Sequence, residues 1–193
     1  MKRLDGKVAW VTGSSRGIGA AIAHLFALEG AKVAVHGRDT KALSAVQRDI
    51  EREGGKSISI VGDVTRFADI EAMRRRIEAE LGPIDILVAN AGGSFSPPGP
   101  LEEIPEDGWH ASVEGNLTAT FLTIKSILPG MKERKAGRII TISSSAGRRP
   151  HPRSPIPYAA CEGGDPDPHA GPRRAGRSVQ DPGELHRSGD DPH

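Results

Sequence analysis

Val8-Ala9-Trp10-Val11-Thr12-Gly13-Ser14-Ser15-Arg16-Gly17-Ile18-Gly19 is the stretch around which the chain is organised. The apolar run Val8 to Val11 reads as a short buried strand that runs into glycine. Gly13, Gly17 and Gly19 punctuate the turn after it, and an alanine-rich apolar helix pattern follows from Ile18 to Leu28. A strand feeding a glycine turn and then a helix leaves unpaired N–H groups, and the positive end of a helix dipole, where a phosphate can sit. Side chains at the glycines would hold the backbone away from a diphosphate. A plain glycine-rich corner is the other reading, because short glycine motifs recur by chance.

Working outward, the same alternation repeats. Lys32 to His36 reads as a second strand, and Thr40 to Glu53 has helical spacing through Leu43, Val46 and Ile50. Gly54-Gly55 stops that helix, as glycine does just past a C-terminus. Ser57 to Val61 is a third strand, and Ala68 to Leu81 a helix through Ile70, Met73 and Ile77, stopped by Gly82-Pro83. Ile84 to Ala89 is a fourth strand, nearly all apolar, as expected when both faces of a sheet are covered. A Gly- and Pro-rich loop, Gly92 to Pro100, leads to one long helix from about Glu106 to Met131, and Arg138 to Ser143 is a fifth strand. This order predicts an α/β fold: a Rossmann-like, doubly wound parallel sheet flanked by helices.

The chain has 193 residues, enough for one domain with a sizeable core. Its net charge of +1 gives no reason to expect nucleic acid or a membrane surface as partner. The lone Cys161 excludes an internal disulfide and fits a reducing compartment. The apolar run behind Met1 is interrupted by Gly13, so neither a secretory signal nor a membrane span is expected, and the reading is cytoplasmic. The seven histidines lack metal-ligand spacing, and no metal site is expected.

Character changes after the fifth strand. His151 to Pro157 carries three prolines, and Gly163 to His193 is dominated by Gly, Pro, Asp, Arg and His, with Val179 and Leu185 its only large apolar residues. Such a segment cannot bury enough surface to offset its ordering entropy. The expected organisation is a nucleotide-binding domain over residues 1–162, its pattern truncated after the fifth strand, and a disordered low-complexity tail over 163–193.

Four motifs in register carry a family resemblance. The turn Thr12-Gly-Ser-Ser-Arg-Gly-Ile-Gly19, the strand end Asn90-Ala-Gly92, Asn116 in the long helix, and Ile142-Ser-Ser-Ser-Ala-Gly147 followed by Tyr158-Ala-Ala together resemble the short-chain dehydrogenase/reductase family, in particular its 3-oxoacyl-reductase-like members. The match covers roughly residues 4 to 164. It implies hydride transfer between NAD(P)H and a small carbonyl or alcohol substrate, and a homo-oligomer in intact relatives.

By that resemblance Tyr158, the only tyrosine, is the proton donor and acceptor for the substrate oxygen, and Ser144 orients that oxygen. Ser143 and Ser145 compete for the serine role, with Ser144 preferred because Gly147 then falls at the family's position. Asn116 would shape the long helix and hold a relay water. The cofactor would lie along Gly13, Ser15, Arg16, Gly17, Ile18 and Gly19, then Asp63 and Val64 at the adenine, and Asn90, Ala91 and Gly92. After the second strand comes Gly37-Arg38, where NAD-preferring relatives carry an acidic residue. Arg38 and Arg16 would pair the extra 2′-phosphate, so NADP(H) is expected ahead of NAD(H). Either arginine also reads as a solvated surface charge, and Asp63 as a helix cap.

One departure concerns catalysis. The family's lysine, one helical turn after the tyrosine, is replaced by Glu162. A carboxylate disfavours the phenolate that a lysine would favour, and losing that assistance should cost on the order of a hundredfold in rate. The genetic code links Glu162 with the tail. If Glu162 is encoded GAA before a glycine codon, the triplet one base downstream is AAG, lysine. The shifted frame then permits Lys-Gly-Gly-Ile-Gln-Ile-Leu-Thr-Gln-Ala-Leu-Ala, an amphipathic helix. Around Gln180 to Gly189 it permits Arg-Ile-Arg-Val-Asn-Cys-Ile-Ala-Pro, which looks like the family's next strand. One inserted base is thus expected to account for both Glu162 and the tail. The alternative to an active reductase is a truncated, catalytically impaired nucleotide-binding module.

Overall fold

The computed structural model describes residues 2–148 and 155–163, together with the backbone of 177–178. In chain order the main elements are β1 (Val8–Val11), α1 (Gly17–Leu28), β2 (Lys32–Gly37), α2 (Thr40–Arg52), β3 (Lys56–Val61), α3 (Phe67–Leu81), β4 (Ile86–Ala89), α4 (Glu106–Val113), α5 (Ala119–Glu133), β5 (Arg138–Thr141), α6 (Ile156–Glu162) and β6 (Arg177–Ser178). The sheet order is β3-β2-β1-β4-β5-β6. The first five strands are parallel and β6 joins β5 antiparallel. After β3 the chain crosses back to lay β4 against β1, so strand order reverses between those two strands. In open α/β sheets such a switch point opens a crevice at the strands' C-terminal ends.

Alternation along the strands explains the two helical layers. Val8 and Trp10 of β1, with Ala34, Ile60, Leu87 and Ala89, pack against Ile70, Met73 and Ile77 of α3 and Ile127 and Met131 of α5. Ala9 and Val11, with Val33, Val35, Ile86 and Val88, pack against Ala23 and Ala27 of α1 and Leu43, Val46 and Ile50 of α2. Successive strand side chains point to opposite faces, and in β1 and β4 both sets are buried. The alanines of α1 allow that helix to sit close to the sheet. α2 starts at Asp39, whose carboxylate accepts from the Ala42 N–H at 3.0 Å, an ordinary N-cap.

Three expectations are refined. The long helix is not uniform: a π turn, Glu114–Thr118, separates α4 from α5. β4 begins at Ile86 and β5 ends at Thr141, leaving Ile142 to Ser144 as a turn toward a short 3-10 segment, Ser145–Gly147. A helix does form around Tyr158, α6, beginning after Pro155; proline at its first turn needs no N–H partner. Most of the expected tail, 163–193, lies outside the described residues.

Candidate active site

The turn after β1 is held by hydroxyls and one imidazole. Thr12 Oγ1 donates to the Val88 carbonyl at 3.3 Å and accepts the N–H groups of Asn90 and Ala91, each at 3.0 Å. Ser14 Oγ donates to the Val11 carbonyl at 2.7 Å and accepts the His36 N–H at 2.8 Å. The Asn90 amide donates to the carbonyls of Thr12 (3.0 Å) and Gly13 (3.1 Å). The ends of β1, β2 and β4 are therefore tied at a single point.

Gly13 has a φ of +64°, and a Cβ there would lie 2.8 Å from the Ala91 Cα. Gly17 also has a positive φ, +57°, but a Cβ there would meet nothing within 4 Å. The first glycine lets two backbones touch, and the second opens space. Beside that space α1 begins without a side-chain cap, since Arg16 makes none. Among the described residues the N–H groups of Gly17, Ile18 and Gly19 have no hydrogen-bond acceptor. Orphan helix-start amides facing open space are a chemically apt seat for a diphosphate. Ile18 is 65% exposed beside them, an apolar surface that a bound ring system would cover.

Around this seat the other expected residues take distinct places. Ser15 is half-buried and packs close to Gly37. Arg16 and Arg38 are exposed, and neither forms an ion pair among the described residues. Asp63 does not cap α3, whose N-cap is Arg66. Its Oδ1 accepts the Thr65 N–H (2.9 Å) and hydroxyl (2.8 Å). The Thr65 amide foremost, with the hydroxyl and the charges of Arg38 and Arg66, keeps the Asp63 carboxyl below the usual carboxylate range against the opposing effect of burial. Val64 is buried in the core.

The reaction end is built from three elements. Asn116 lies buried in the π turn; its Nδ2 donates to the carbonyls of Ser112 (2.8 Å) and Gly93 (3.0 Å), and its Oδ1 accepts the Gly93 N–H (2.9 Å). It pins the loop after Gly92 to the helix, and π turns of this kind recur at functional sites. Ser144 precedes the 3-10 segment, its Oγ accepting the Ala146 N–H at 3.2 Å. Ser143 instead donates to the main-chain carbonyl of Glu162 at 3.1 Å, which leaves Ser144 and Ser145 as the serines without a tie to α6. α6 packs against the 3-10 segment, α4 and the π turn, so the helix carrying Tyr158 touches both the segment that Ser144 precedes and the turn that holds Asn116. Tyr158 and Glu162 are both half-buried, one turn apart on α6.

Sequence reasoning missed Thr12, Ser14 and His36, which hold the turn without facing its open side. The available signal was polar residues ending otherwise apolar strands. Among the described residues no group of three or more His, Cys, Asp or Glu side chains could hold a metal ion, and no helix is long and apolar enough to cross a membrane.

Known proteins are similar to this chain in sequence and fold. The 3-oxoacyl-acyl-carrier-protein reductase of Escherichia coli is 38% identical over 144 residues, 75% of this chain and 57% of that protein. A metagenomic short-chain oxidoreductase, solved in complex with NADP, superposes with a TM-score of 0.76 at 40% identity, over 82% of this chain and 71% of its own. A 7α-hydroxysteroid dehydrogenase, solved with NADH and 7-oxo glycochenodeoxycholic acid, gives 0.78 at 32% identity, over 83% and 62%. The chain spans about half the length of most of the curated relatives it matches. The family model for short chain dehydrogenases matches residues 7–164, and the chain belongs to that family.

Proposed function

We propose that this chain is an NADP(H)-dependent oxidoreductase acting on a small carbonyl or alcohol substrate. The observation that carries the reading is the uncapped, glycine-opened start of α1 at the β1/β4 switch point. The amides of Gly17, Ile18 and Gly19 would hold the diphosphate, with Gly13 and Ser15 shaping the turn beneath it. Arg16 and Arg38 would pair a 2′-phosphate, and Asp63 and Val64 would border the adenine. Asn90, Ala91 and Gly92 would line the path toward the reaction end, Asn90 through its backbone because its amide closes the turn. When bound, the nicotinamide ring supplies or accepts the hydride. Ser144 Oγ would orient the substrate oxygen, and Tyr158 would give it a proton in reduction or take one in oxidation. Asn116 would keep the π turn in place and leave one lone pair of Oδ1 for a relay water. A cytoplasmic setting and a homo-oligomer are part of this reading.

A second reading, a nucleotide-binding module with impaired turnover, is favoured by Glu162. It stands one turn from Tyr158, at the position where the family resemblance implies a lysine, whether it arose by substitution or by a shifted frame. Titrating the full chain with NADPH and NADH, then assaying NADPH oxidation with a panel of small ketones and aldehydes, separates these readings. Tighter NADPH binding with ketone-dependent oxidation is the expected result. Binding without oxidation supports the module, and no binding of either nucleotide at millimolar concentration overturns both.

A further inference from the structure

His36 is the last buried polar side chain of β2, only 3% exposed, and nothing in the proposed chemistry uses it. Its ring makes two hydrogen bonds in opposite directions. Nδ1 lies 3.1 Å from the Gly13 N and Nε2 lies 3.2 Å from the Gly62 O. The Gly13 amide can only donate and the Gly62 carbonyl can only accept. One protonation state satisfies both: neutral imidazole with a bare Nδ1 and the hydrogen on Nε2. The imidazolium would set two N–H groups against each other at Gly13. The main chain of His36 adds to the tie, its carbonyl accepting the Ser14 N–H at 2.8 Å and its N–H reaching Ser14 Oγ. Trp10 closes the ring's side at 6.4 Å between centroids, edge to face.

Gly13 opens the turn that leads to the orphan amides, and Gly62 immediately precedes Asp63 and Val64. The ring therefore bridges the diphosphate seat and the adenine seat from behind. We propose that His36 is a positioning residue for the dinucleotide, its imidazole fixing the spacing between those two seats. This rests on the dinucleotide reading above. A ligand that spans both seats senses that spacing, whereas a fragment that occupies one of them does not. The Gly13 amide, taken by the ring, is not among the donors left for phosphate.

The test uses the full chain, His36→Asn and His36→Phe. Asparagine offers an acceptor toward Gly13 but cannot reach Gly62; phenylalanine keeps the bulk and makes neither bond. NADPH spans both seats and adenosine 2′-monophosphate fills one. Loss of one positioning bond should weaken NADPH about tenfold in His36→Asn, and more in His36→Phe, with the monophosphate changed by no more than about twofold. Nitrogen-15 spectra of the parent imidazole at neutral pH should show Nε2 protonated and Nδ1 bare, a readout independent of any ligand. The proposal is overturned if folded His36→Asn binds NADPH as the parent does, if the monophosphate weakens in step with NADPH, or if the ring is the other tautomer. A parent that binds neither NADPH nor NADH overturns the dinucleotide reading instead, and that outcome is recognised before any variant is made.

Discussion

β1 and β5 each end in a serine-bearing turn that the proposed site needs, and the two turns are held very differently. Every residue of β1 is buried, and its turn receives bonds from Val88, Asn90, Ala91 and His36, which belong to other segments of the sheet. In β5, Arg138 and Thr141 are exposed and the two isoleucines only half-buried. Its turn is held by the Ile142 N–H donating to the Ala89 carbonyl of β4 at 3.0 Å, by the local Ser144–Ala146 bond and by Ser143 reaching the end of α6. The cofactor seat is thus over-determined by bonds from several strands. The reaction end has one such bond to a neighbouring strand and otherwise depends on local contacts and on the packing of one seven-residue helix. Binding and turnover should therefore be separable by mutation, and each end should fail in its own way.

The largest expected effect lies in the first turn. A Cβ at residue 19 would collide with the Gly13 carbonyl and come within 2.6 Å of the Asn90 amide. Gly19→Val should lower stability by about 3 kcal/mol, the upper end for overpacking, and abolish NADPH binding. Urea unfolding and nucleotide titration measure both, and a variant as stable as the parent would break the contrast. Acid should find the same region. Burial pushes His36 down from 6.5 to about 4, with Gly62 and the Asp63 carboxylate opposing and Arg38 assisting. Because the folded state resists the proton that the unfolded chain accepts, stability is full above pH 6.5. It should fall by about 3 kcal/mol as the pH drops toward 4. Glu71, drawn from 4.5 to about 2 by Arg74 and Ser126, extends the loss below pH 4.5, because its stabilising charge disappears as it is protonated. Unfolding curves across that range check the window; a flat profile between pH 6.5 and 4 would remove His36 from the tie.

At the other end, Glu162→Lys should raise ketone-dependent NADPH oxidation by about a hundredfold, since it restores, one turn from Tyr158, the lysine that the family resemblance implies. Steady-state rates with the parent as baseline sharpen the comparison, and an unchanged rate would place the defect elsewhere in the reaction end. The smallest effect is expected at the rim of the cofactor seat. Arg38→Ala should weaken NADPH about tenfold and leave NADH within about twofold, because an exposed guanidinium contributes mainly through the 2′-phosphate. Equal losses for both nucleotides would give Arg38 a role other than phosphate pairing.

Much of the fold was legible before any coordinates, because hydrophobic periodicity reports burial directly. The first five strands and the helices between them fall within a few residues of their predicted bounds. The misreadings are local. The π turn at Asn116 is invisible to hydrophobic periodicity, since the buried positions around it are the small or polar Ser112, Gly115 and Asn116. Its backbone hydrogen bonding marks it, and the bonds from Asn116 to Gly93 and Ser112 brace it. α6 was hidden by the surrounding prolines, although Pro155 stands just ahead of its first turn, where proline suits a helix.

The sequence by itself determined the alternating α/β plan, the glycine-opened corner and the presence of Glu162 one turn after Tyr158, because these follow from residue type and spacing along the chain. Tertiary structure alone decided that Asn90 closes the turn and that His36 joins Gly13 to Gly62. Both rest on directional hydrogen bonds whose partners are brought together by strand order, between positions far apart in the chain. A one-dimensional pattern records which groups can bond, and the fold selects which of them meet.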